Sequence, residues 1–268
     1  MGMIFYKTDE EIELIRQSCL VVSKVLALVG EMIKPGITGA VIDKAAEELI
    51  RDHGGVPSFK GYNGFPATLC VSVNECVVHG IPTKEQEFHD GDVVSVDCGV
   101  FLNDFHGDAA YTFALGEVAP EVMALLKTTR ESLYKGIEQA VAGKRLGDIS
   151  FAIQHYAERE HRYGVVRELV GHGVGHDLHE APEVPNYGKR GSGPILKEGL
   201  VIAIEPMVNL GKKDVKTARD GWTVLAKDNK PSAHYEHTVA IRKDKADILS
   251  THTGVETAIL KNPNVQSI

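Results

Sequence analysis

The sequence has few of the features that secreted or membrane-spanning proteins need. Its 268 residues include only four cysteines, and none of them forms a Cys-x-x-Cys pair. So few cysteines in a chain of this length do not make a disulfide framework, so we expect reduced, mostly buried thiols in the cytoplasm. No apolar run is long enough to span a bilayer, and the N-terminal residues turn acidic too soon for a signal peptide.

The sequence also lacks a basic cluster. It has 37 acidic against 29 basic side chains, a net charge of −8, and no basic run longer than Lys212–Lys213. A nucleic-acid-binding surface needs clustered positive charge, so nucleic acid is disfavoured as a partner. The composition, with 43% hydrophobic and 25% charged residues, is ordinary for a globular enzyme.

Helical and strand-like segments alternate along the chain, which predicts an α/β (α+β) fold. Thr8–Glu11 reads as a capping box that starts a long helix, and Lys34–Gly36 ends it. A second helix should run from near Thr38 to Gly54–Gly55. Further helices are predicted at 119–141 and 147–160, and strands at 69–73, 92–100, 108–115, 199–206 and 234–241.

The second half of the chain repeats a pattern of the first. Residues 90–97 (DGDVVSVD) and 198–205 (EGLVIAIE) share the order acid, Gly, any residue, Val, apolar, small, apolar, acid. We therefore predict a single catalytic domain over residues 1–268, built from two similar units at about 8–115 and 116–241. Two such units would bring two acidic strand ends to one central cleft.

Four acidic residues at strand ends are candidate metal ligands. A hairpin centred near Leu102–Asn103 would set Asp97 directly opposite Asp108, where two like charges destabilise a sheet unless a cation lies between them. Glu205 ends an apolar strand, and Glu236 lies in the alternating run HYEHTVAI. The alternatives are turn-flanking acids on a solvated face, a buried ion pair of Glu205 with a basic residue, and an exposed charged strand around Glu236.

The densest histidine cluster is GHGVGHDLHE, which contains His172, His176 and His179. Its spacing matches no zinc finger, and the sequence has no HExxH motif. The alternative is a glycine-rich loop with solvated histidines. With four carboxylates, one imidazole makes an oxygen-rich set that suits Mn(II), Fe(II), Co(II) or Zn(II). A pair of such ions activates water and polarises a carbonyl group, which is the chemistry of amide hydrolysis.

Taken together, these residues and the motifs around them resemble those of the type I methionine aminopeptidases over nearly the whole length of the chain. The resemblance implies the two-halved, pseudo-symmetric pita-bread fold, with a central antiparallel sheet flanked by helices. It implies removal of the initiator methionine when the second residue is small. The motifs that carry it are NECVVHGIP (74–82), VDCG (96–99), FHGDAA (105–110), GHGVGHDLHEAP (171–182), IEPMVNLGKKD (204–214), DGWTV (220–224) and YEHT (235–238).

The resemblance also implies a role for each site residue. Asp108 and Glu236 would bridge two divalent ions, Asp97 would chelate one, and His172 and Glu205 would hold the other. Glu205 would also shuttle a proton. His79 and His179 would contact the peptide and act in catalysis, and the methionine pocket would draw on Tyr62, Phe65, Cys70 and Trp222.

Three positions depart from the family pattern at the pocket wall, namely Phe59, Leu169 and Leu178. The implied partners are nascent peptide N-termini and, as an optional partner, the ribosome, and the implied state is a monomer. The sequence leaves two alternative functions open. One is a proline-type aminopeptidase or prolidase of the same fold, and the other is a binding protein that has kept the fold without the chemistry.

Overall fold

The computed structural model describes residues 2–268, and within them it has five α-helices and sixteen strands. The helices are α1 (Asp9–Met32), α2 (Gly39–Asp52), α3 (Pro120–Ile137), α4 (Leu146–Gln154) and α5 (Thr253–Lys261). The strands are β1 (Val56–Pro57), β2 (Leu69–Val73), β3 (Cys76–Val78), β4 (Val93–Leu102), β5 (Phe105–Leu115), β6 (Gly164–Val165), β7 (Gly171–Gly173), β8 (Glu180–Val184), β9 (Val201–Ile204), β10 (Met207–Asn209), β11 (Val215–Thr217), β12 (Val224–Ala226), β13 (Ser232–His234), β14 (His237–Ala240), β15 (Asp247–Ile248) and β16 (Val265–Gln266).

The predicted capping box at the start of α1 is confirmed. The Thr8 hydroxyl accepts from the Glu11 amide at 3.2 Å, and the Thr8 amide donates to the Glu11 carboxylate at 2.7 Å. These bonds satisfy two of the amide groups that a helix start leaves unpaired. The helix ends at Met32, two residues before Lys34–Gly36, because proline cannot continue the ladder of helical hydrogen bonds.

Several predicted elements differ from the structure. The predicted helix at 119–141 ends at Ile137, and the predicted strand at 199–206 covers only Val201–Ile204. The predicted helix at 147–160 ends at Gln154 and continues as one π-helical turn, His155–Glu160. The predicted strand at 234–241 is interrupted at Tyr235–Glu236, between β13 and β14. A tertiary contact causes this interruption. The Glu236 amide donates to the Ala110 carbonyl of β5 at 3.0 Å instead of to a neighbouring strand of its own sheet.

All paired strands are antiparallel, and they form four sheets. One five-stranded sheet centres on the β4–β5 hairpin, with β1 and β2 on β4 and β16 on β5. The second five-stranded sheet has the order β15-β14-β9-β7-β8. The two three-stranded sheets have the orders β13-β10-β6 and β11-β12-β3. The Thr238 hydroxyl of β14 donates to the Asp108 carbonyl of β5 at 2.7 Å, which joins the two larger sheets.

One hydrophobic cluster extends from Val21 to Val265 and packs the helices against these sheets. The four cysteines are unpaired and buried, as the sequence predicts. No helix within residues 2–268 is both long and apolar enough to cross a membrane.

Candidate metal centre

The β4–β5 hairpin ends in a two-residue turn, Asn103–Asp104, one position later than the predicted centre. Both residues have positive φ, 53° and 65°. A type I′ turn requires this conformation at both positions, and asparagine and aspartate tolerate it better than most residues. The turn therefore pairs Leu102 with Phe105 and fixes the register of the whole hairpin.

This register places two predicted ligands on one face but not opposite each other. Asp97 pairs with Ala110, and Asp108 pairs with Gly99. The prediction that Asp97 and Asp108 oppose each other directly is therefore wrong, and they are diagonal neighbours. A Cβ atom on Gly99 would lie 2.7 Å from Cε1 of Phe59, so glycine is required for the approach of that ring to the hairpin.

The other three predicted ligands come from the second five-stranded sheet. His172 lies in β7, Glu205 directly follows β9, and Glu236 directly precedes β14. Because β9 pairs with both β7 and β14, these three positions converge at the same end of the three neighbouring strands. The hydrogen bond from the Glu236 amide to the Ala110 carbonyl brings that end against the β4–β5 hairpin.

Asp108, His172 and Glu236 form a compact group. Each offers one ligand atom, and these atoms lie within 4.8 Å of one another. The three residues are only 3%, 8% and 2% exposed. Glu205 lies beside the group, with its Oε1 atom 3.5 Å from Nε2 of His172. The carboxyl group of Asp97 lies beside that of Asp108. The five predicted ligands therefore lie together.

Histidine is the basic residue type that contacts the four carboxyl groups, through His172 and His234. In the part of the chain that the structure describes, neither lysine nor arginine forms an ion pair with any of them. Burial raises the pKa of Asp97 to about 7 and, together with the neighbouring carboxylates, raises the pKa of Asp108, Glu205 and Glu236 well above the ordinary value. A buried ion pair, the alternative considered for Glu205, is thereby excluded.

His172 presents one nitrogen to the carboxylates and has the other engaged. Its Nδ1 atom lies 3.0 Å from the Gly173 carbonyl, so Nδ1 carries the proton and Nε2 offers its lone pair. Burial lowers the pKa of His172 to about 3, which keeps the imidazole neutral. A neutral imidazole with a fixed tautomer is the form that binds a metal ion.

This donor set fits divalent cations. One carboxyl oxygen each of Asp97, Asp108 and Glu236 is buried without a hydrogen-bond partner. Unpaired buried carboxylates are costly unless they are protonated or bind a cation. Carboxylate oxygens with one imidazole suit Mn(II), Fe(II), Co(II) or Zn(II).

A cavity of about 370 Å³ adjoins the five ligands. It brings together all eleven site residues predicted from the sequence, together with Phe59 and Leu178, which the sequence placed at the pocket wall, and Asn63, which it did not assign to the site. Its lining is Phe59, Tyr62, Asn63, Phe65, Cys70, His79, Asp97, Asp108, His172, Leu178, His179, Glu205, Trp222 and Glu236.

Two histidines lie at the cavity beside the metal ligands. His179 packs edge-on against His172, with ring centroids 4.2 Å apart, and its Nδ1 atom lies 2.8 Å from the Tyr62 hydroxyl. His79 adopts a positive φ of 58°, an uncommon conformation for a non-glycine residue. Burial lowers the pKa of both His79 and His179, so both are neutral at pH 7.

The far wall of the cavity is apolar. Phe65 and Trp222 meet edge to face with centroids 5.2 Å apart, and Phe59, Cys70 and Leu178 pack with Phe65 in one cluster. Burial raises the pKa of the Cys70 thiol well above its ordinary value, so the thiol is neutral. Of the three departures noted in the sequence, Phe59 and Leu178 form part of this wall, whereas Leu169 packs in a different cluster.

His234 is a further residue of the site that the sequence did not single out. Its Nε2 atom is buried without a hydrogen-bond partner and lies 3.7 Å from Oε2 of Glu205. Burial lowers its pKa to about 3. The signal was its position two residues before Glu236 in HYEH, but alternation alone did not indicate which buried group it would face.

Comparison with known proteins identifies the family. A model of metallopeptidase family M24 matches residues 13–243. The methionine aminopeptidase of Clostridium acetobutylicum is 52% identical over 248 residues, which cover 92% of this chain and 99% of that protein. The structure of methionine aminopeptidase from Thermotoga maritima superposes with a TM-score of 0.91 at 43% identity, and the match covers 93% of this chain and 100% of that one.

A prolidase structure from Pyrococcus furiosus shares the fold with a TM-score of 0.75 at 24% identity, and the match covers 92% of this chain but only 65% of that one. This likeness shows the shared fold alone, whereas the 52% identity to a methionine aminopeptidase favours that group over the prolidase alternative. The pita-bread fold and the resemblance inferred from the motifs are confirmed. The chain therefore belongs to metallopeptidase family M24, within its methionine aminopeptidases.

Proposed function

We propose that the protein removes N-terminal methionine with the help of two divalent cations held by five side chains. The observation that carries this proposal is a cluster of four carboxyl groups beside a cavity with an aromatic wall. Three of these groups, those of Asp97, Asp108 and Glu236, each have one buried oxygen without a hydrogen-bond partner among the described residues. Asp108 and Glu236, at the centre of the cluster, would be shared by both cations. Asp97 would complete one site, and His172 with Glu205 would complete the other.

A pair of bound cations lowers the pKa of a shared water and polarises the carbonyl group to be attacked. The chain itself supplies the proton transfer. Glu205 accepts a proton from the attacking water and delivers it to the departing amine. Its carboxyl oxygens lie between the imidazoles of His172 and His234, at 3.5 and 3.7 Å, so its orientation is restricted.

His79 and His179 bind the peptide around the scissile bond. When the Tyr62 hydroxyl donates to Nδ1 of His179, the ring proton resides on Nε2, which can donate to a carbonyl oxygen. A donor aimed at the developing oxyanion stabilises the tetrahedral intermediate. Both rings are neutral near pH 7, so their binding to the peptide does not depend on a charge.

The methionine side chain occupies the apolar end of the cavity. Phe65, Cys70 and Trp222 line it, and Phe59 and Leu178 narrow it. A flexible thioether fits a narrow aromatic pocket and contacts ring edges favourably. The second residue of the substrate lies among the two histidines and the metal ligands, so we propose that it must be small.

Nascent peptide N-termini are the substrates, and we propose a monomer that acts in the cytoplasm, with the ribosome as an optional partner. The buried free thiols support a reducing compartment. The ligand set suits Co(II), Mn(II), Fe(II) or Zn(II) and does not select one of them, because metal availability also decides occupancy.

The test is methionine release from Met-Gly-Met-Met before and after treatment with EDTA, followed by addition of Mn(II) or Co(II). We expect activity to disappear with EDTA and to return with metal, and Met-Gly to be cleaved much faster than a matched peptide with a bulky second residue. A folded protein that binds no metal and releases no methionine would instead indicate a binding protein that has kept the fold.

A further inference from the structure

A second cavity, of about 900 Å³, opens beside the metal centre. His172 and His179 line both cavities, and the two share no other lining residue among those that the structure describes. We call this second cavity the outer groove. Its remaining walls are the N-terminal segment, strand β8 with the residue that follows it, the start of β7 with the residue before it, the first residue of α4, and the loop at Gly193–Pro194. They contribute the apolar side chains of Ile4, Leu146, Val170, Pro182, Pro185 and Pro194.

The walls of the outer groove are held in place. Lys7 and Glu180 form an ion pair in which each side chain is only 4% exposed. The Lys7 amide also donates to the Gly199 carbonyl at 2.7 Å, and Ile4 forms a β-bridge with Ala181. The N-terminal segment is therefore anchored to the strand that follows His179, and it forms a fixed wall.

The groove is apolar, and the charged side chains among its described lining residues are those of two glutamates. Of its two acidic residues, Glu180 is neutralised by Lys7, and Glu183 is exposed. Strand β8 is the edge of its sheet, but Pro182 and Pro185 lack the N–H groups that an added strand would need. An occupant would therefore bind mainly through side-chain contacts rather than by extending the sheet.

We propose that the outer groove binds residues three to five of the substrate polypeptide and prefers apolar side chains there. This inference rests on the proposed function, in which methionine fills the first cavity. The chain beyond the scissile bond must then leave past His172 and His179, and the outer groove begins at these two residues. Its volume lies in the range of sites that enclose small organic ligands, so several extended residues can enter.

The test compares three peptides with the same first two residues: Met-Gly-Gly, Met-Gly-Ser-Gly-Ser and Met-Gly-Leu-Ala-Leu. For the wild-type protein we expect the KM of the apolar pentapeptide to be about 5–10-fold lower than that of the polar one, at similar kcat, because apolar area is removed from water. Equal KM values for the two pentapeptides would overturn the proposal without any variant being made.

Variants locate the effect. Ile4→Asp and Pro194→Asp each place a charge in the lining of the groove, and Leu260→Asp, at a side chain that is 78% exposed on α5, is the matched control. We expect the two groove variants to abolish the difference between the pentapeptides and to leave Met-Gly-Gly unchanged. Equal losses on all three peptides would contradict the proposal, because they would indicate a structural role only.

The outcomes also separate this proposal from the proposed function. Absence of Met-Gly-Gly cleavage under every metal would refute the aminopeptidase activity itself. Cleavage of Met-Gly-Gly without discrimination between the pentapeptides would refute only the groove. If a second copy of the chain occupied the groove, light scattering would show a dimer and the preference would disappear as protein concentration rises, which would also overturn the proposal.

Discussion

At Asp108, three unfavourable contributions act on one carboxylate. Burial is the largest, and the charges of Glu236 and Asp97 add to it. We expect Asp108→Asn, which keeps the side-chain volume, to lower kcat/KM on the order of 100-fold or more, because a shared ligand is lost. The same change should stabilise the metal-free protein by about 1–3 kcal/mol, because asparagine is neutral in both states, whereas Asp108 must either take up a proton on folding or keep a poorly compensated buried charge.

The measurement is kcat/KM for Met-Gly-Met-Met together with urea unfolding in EDTA. Glu48→Gln is the control, because Glu48 is an exposed carboxylate on α2 that forms a surface ion pair with Lys44. Surface pairs of this kind contribute little, so both quantities should stay near the wild-type values. A metal-free Asp108→Asn protein that is less stable than wild type would contradict the account of the site.

Individual site residues could be predicted from the sequence where a polar group follows an apolar strand. Glu205 is such a case, because a carboxylate at the end of a buried strand needs a partner or an ion. His234 and the contact of Tyr62 with His179 could not be predicted in this way. Those contacts join segments that are far apart in the chain, and the local pattern does not encode which segments meet.

At the scale of elements, the Asn103–Asp104 turn sets the register that brings Asp97 and Asp108 onto one face. Asp104 has a φ of 65°, which a β-branched residue adopts only with strain. We expect Asp104→Val to lower the free energy of unfolding by about 1–2 kcal/mol. Asp104→Gly, the matched control, should leave it nearly unchanged, because glycine accepts positive φ without strain.

Urea unfolding monitored by circular dichroism measures both variants. Equal destabilisation by valine and glycine would refute the role of the turn conformation. The sequence predicted the hairpin and both of its strands, but it placed the turn one residue too early. Turn position depends on which two residues tolerate positive φ, and Leu102–Asn103 satisfies this condition less well than Asn103–Asp104.

At the scale of the whole molecule, the metal centre exists only when the two large sheets meet. Asp97 and Asp108 come from one sheet, and His172, Glu205 and Glu236 come from the other or from its ends. The repeated pattern at 90–97 and 198–205 predicted that two acidic strand ends would converge. Glu205 does follow β9, but the prediction that Asp97 ends its strand is wrong, because β4 continues to Leu102. The division into units at about 8–115 and 116–241 stays a prediction. Folding of this protein therefore assembles four carboxyl groups whose mutual repulsion is relieved by protons or cations.

This assembly makes the stability of the metal-free protein depend on pH. Burial raises the pKa of Asp97 to about 7 and raises the pKa of Asp108, Glu205 and Glu236 well above the ordinary value. The folded state therefore binds protons that the unfolded state has released, and stability falls as pH rises through the folded-state pKa values. Below about pH 6.5 the trend reverses, since buried histidines such as His172, with a pKa of about 3, must be protonated on unfolding.

The clearest window is therefore pH 7–8, where unfolded tyrosines keep their protons and unfolded cysteines have released only a minor part of theirs. In EDTA we expect the Tm to fall across this window, with up to about 1.4 kcal/mol per pH unit for each carboxyl group that stays protonated in the fold. With Mn(II) the Tm should be higher and should not fall, because the bound cation stabilises the ionised carboxylates. Thermal unfolding at pH 7.0, 7.5 and 8.0 with and without metal tests this. A metal-free Tm that rises with pH would show that these carboxyl groups are already ionised in the folded protein at pH 7.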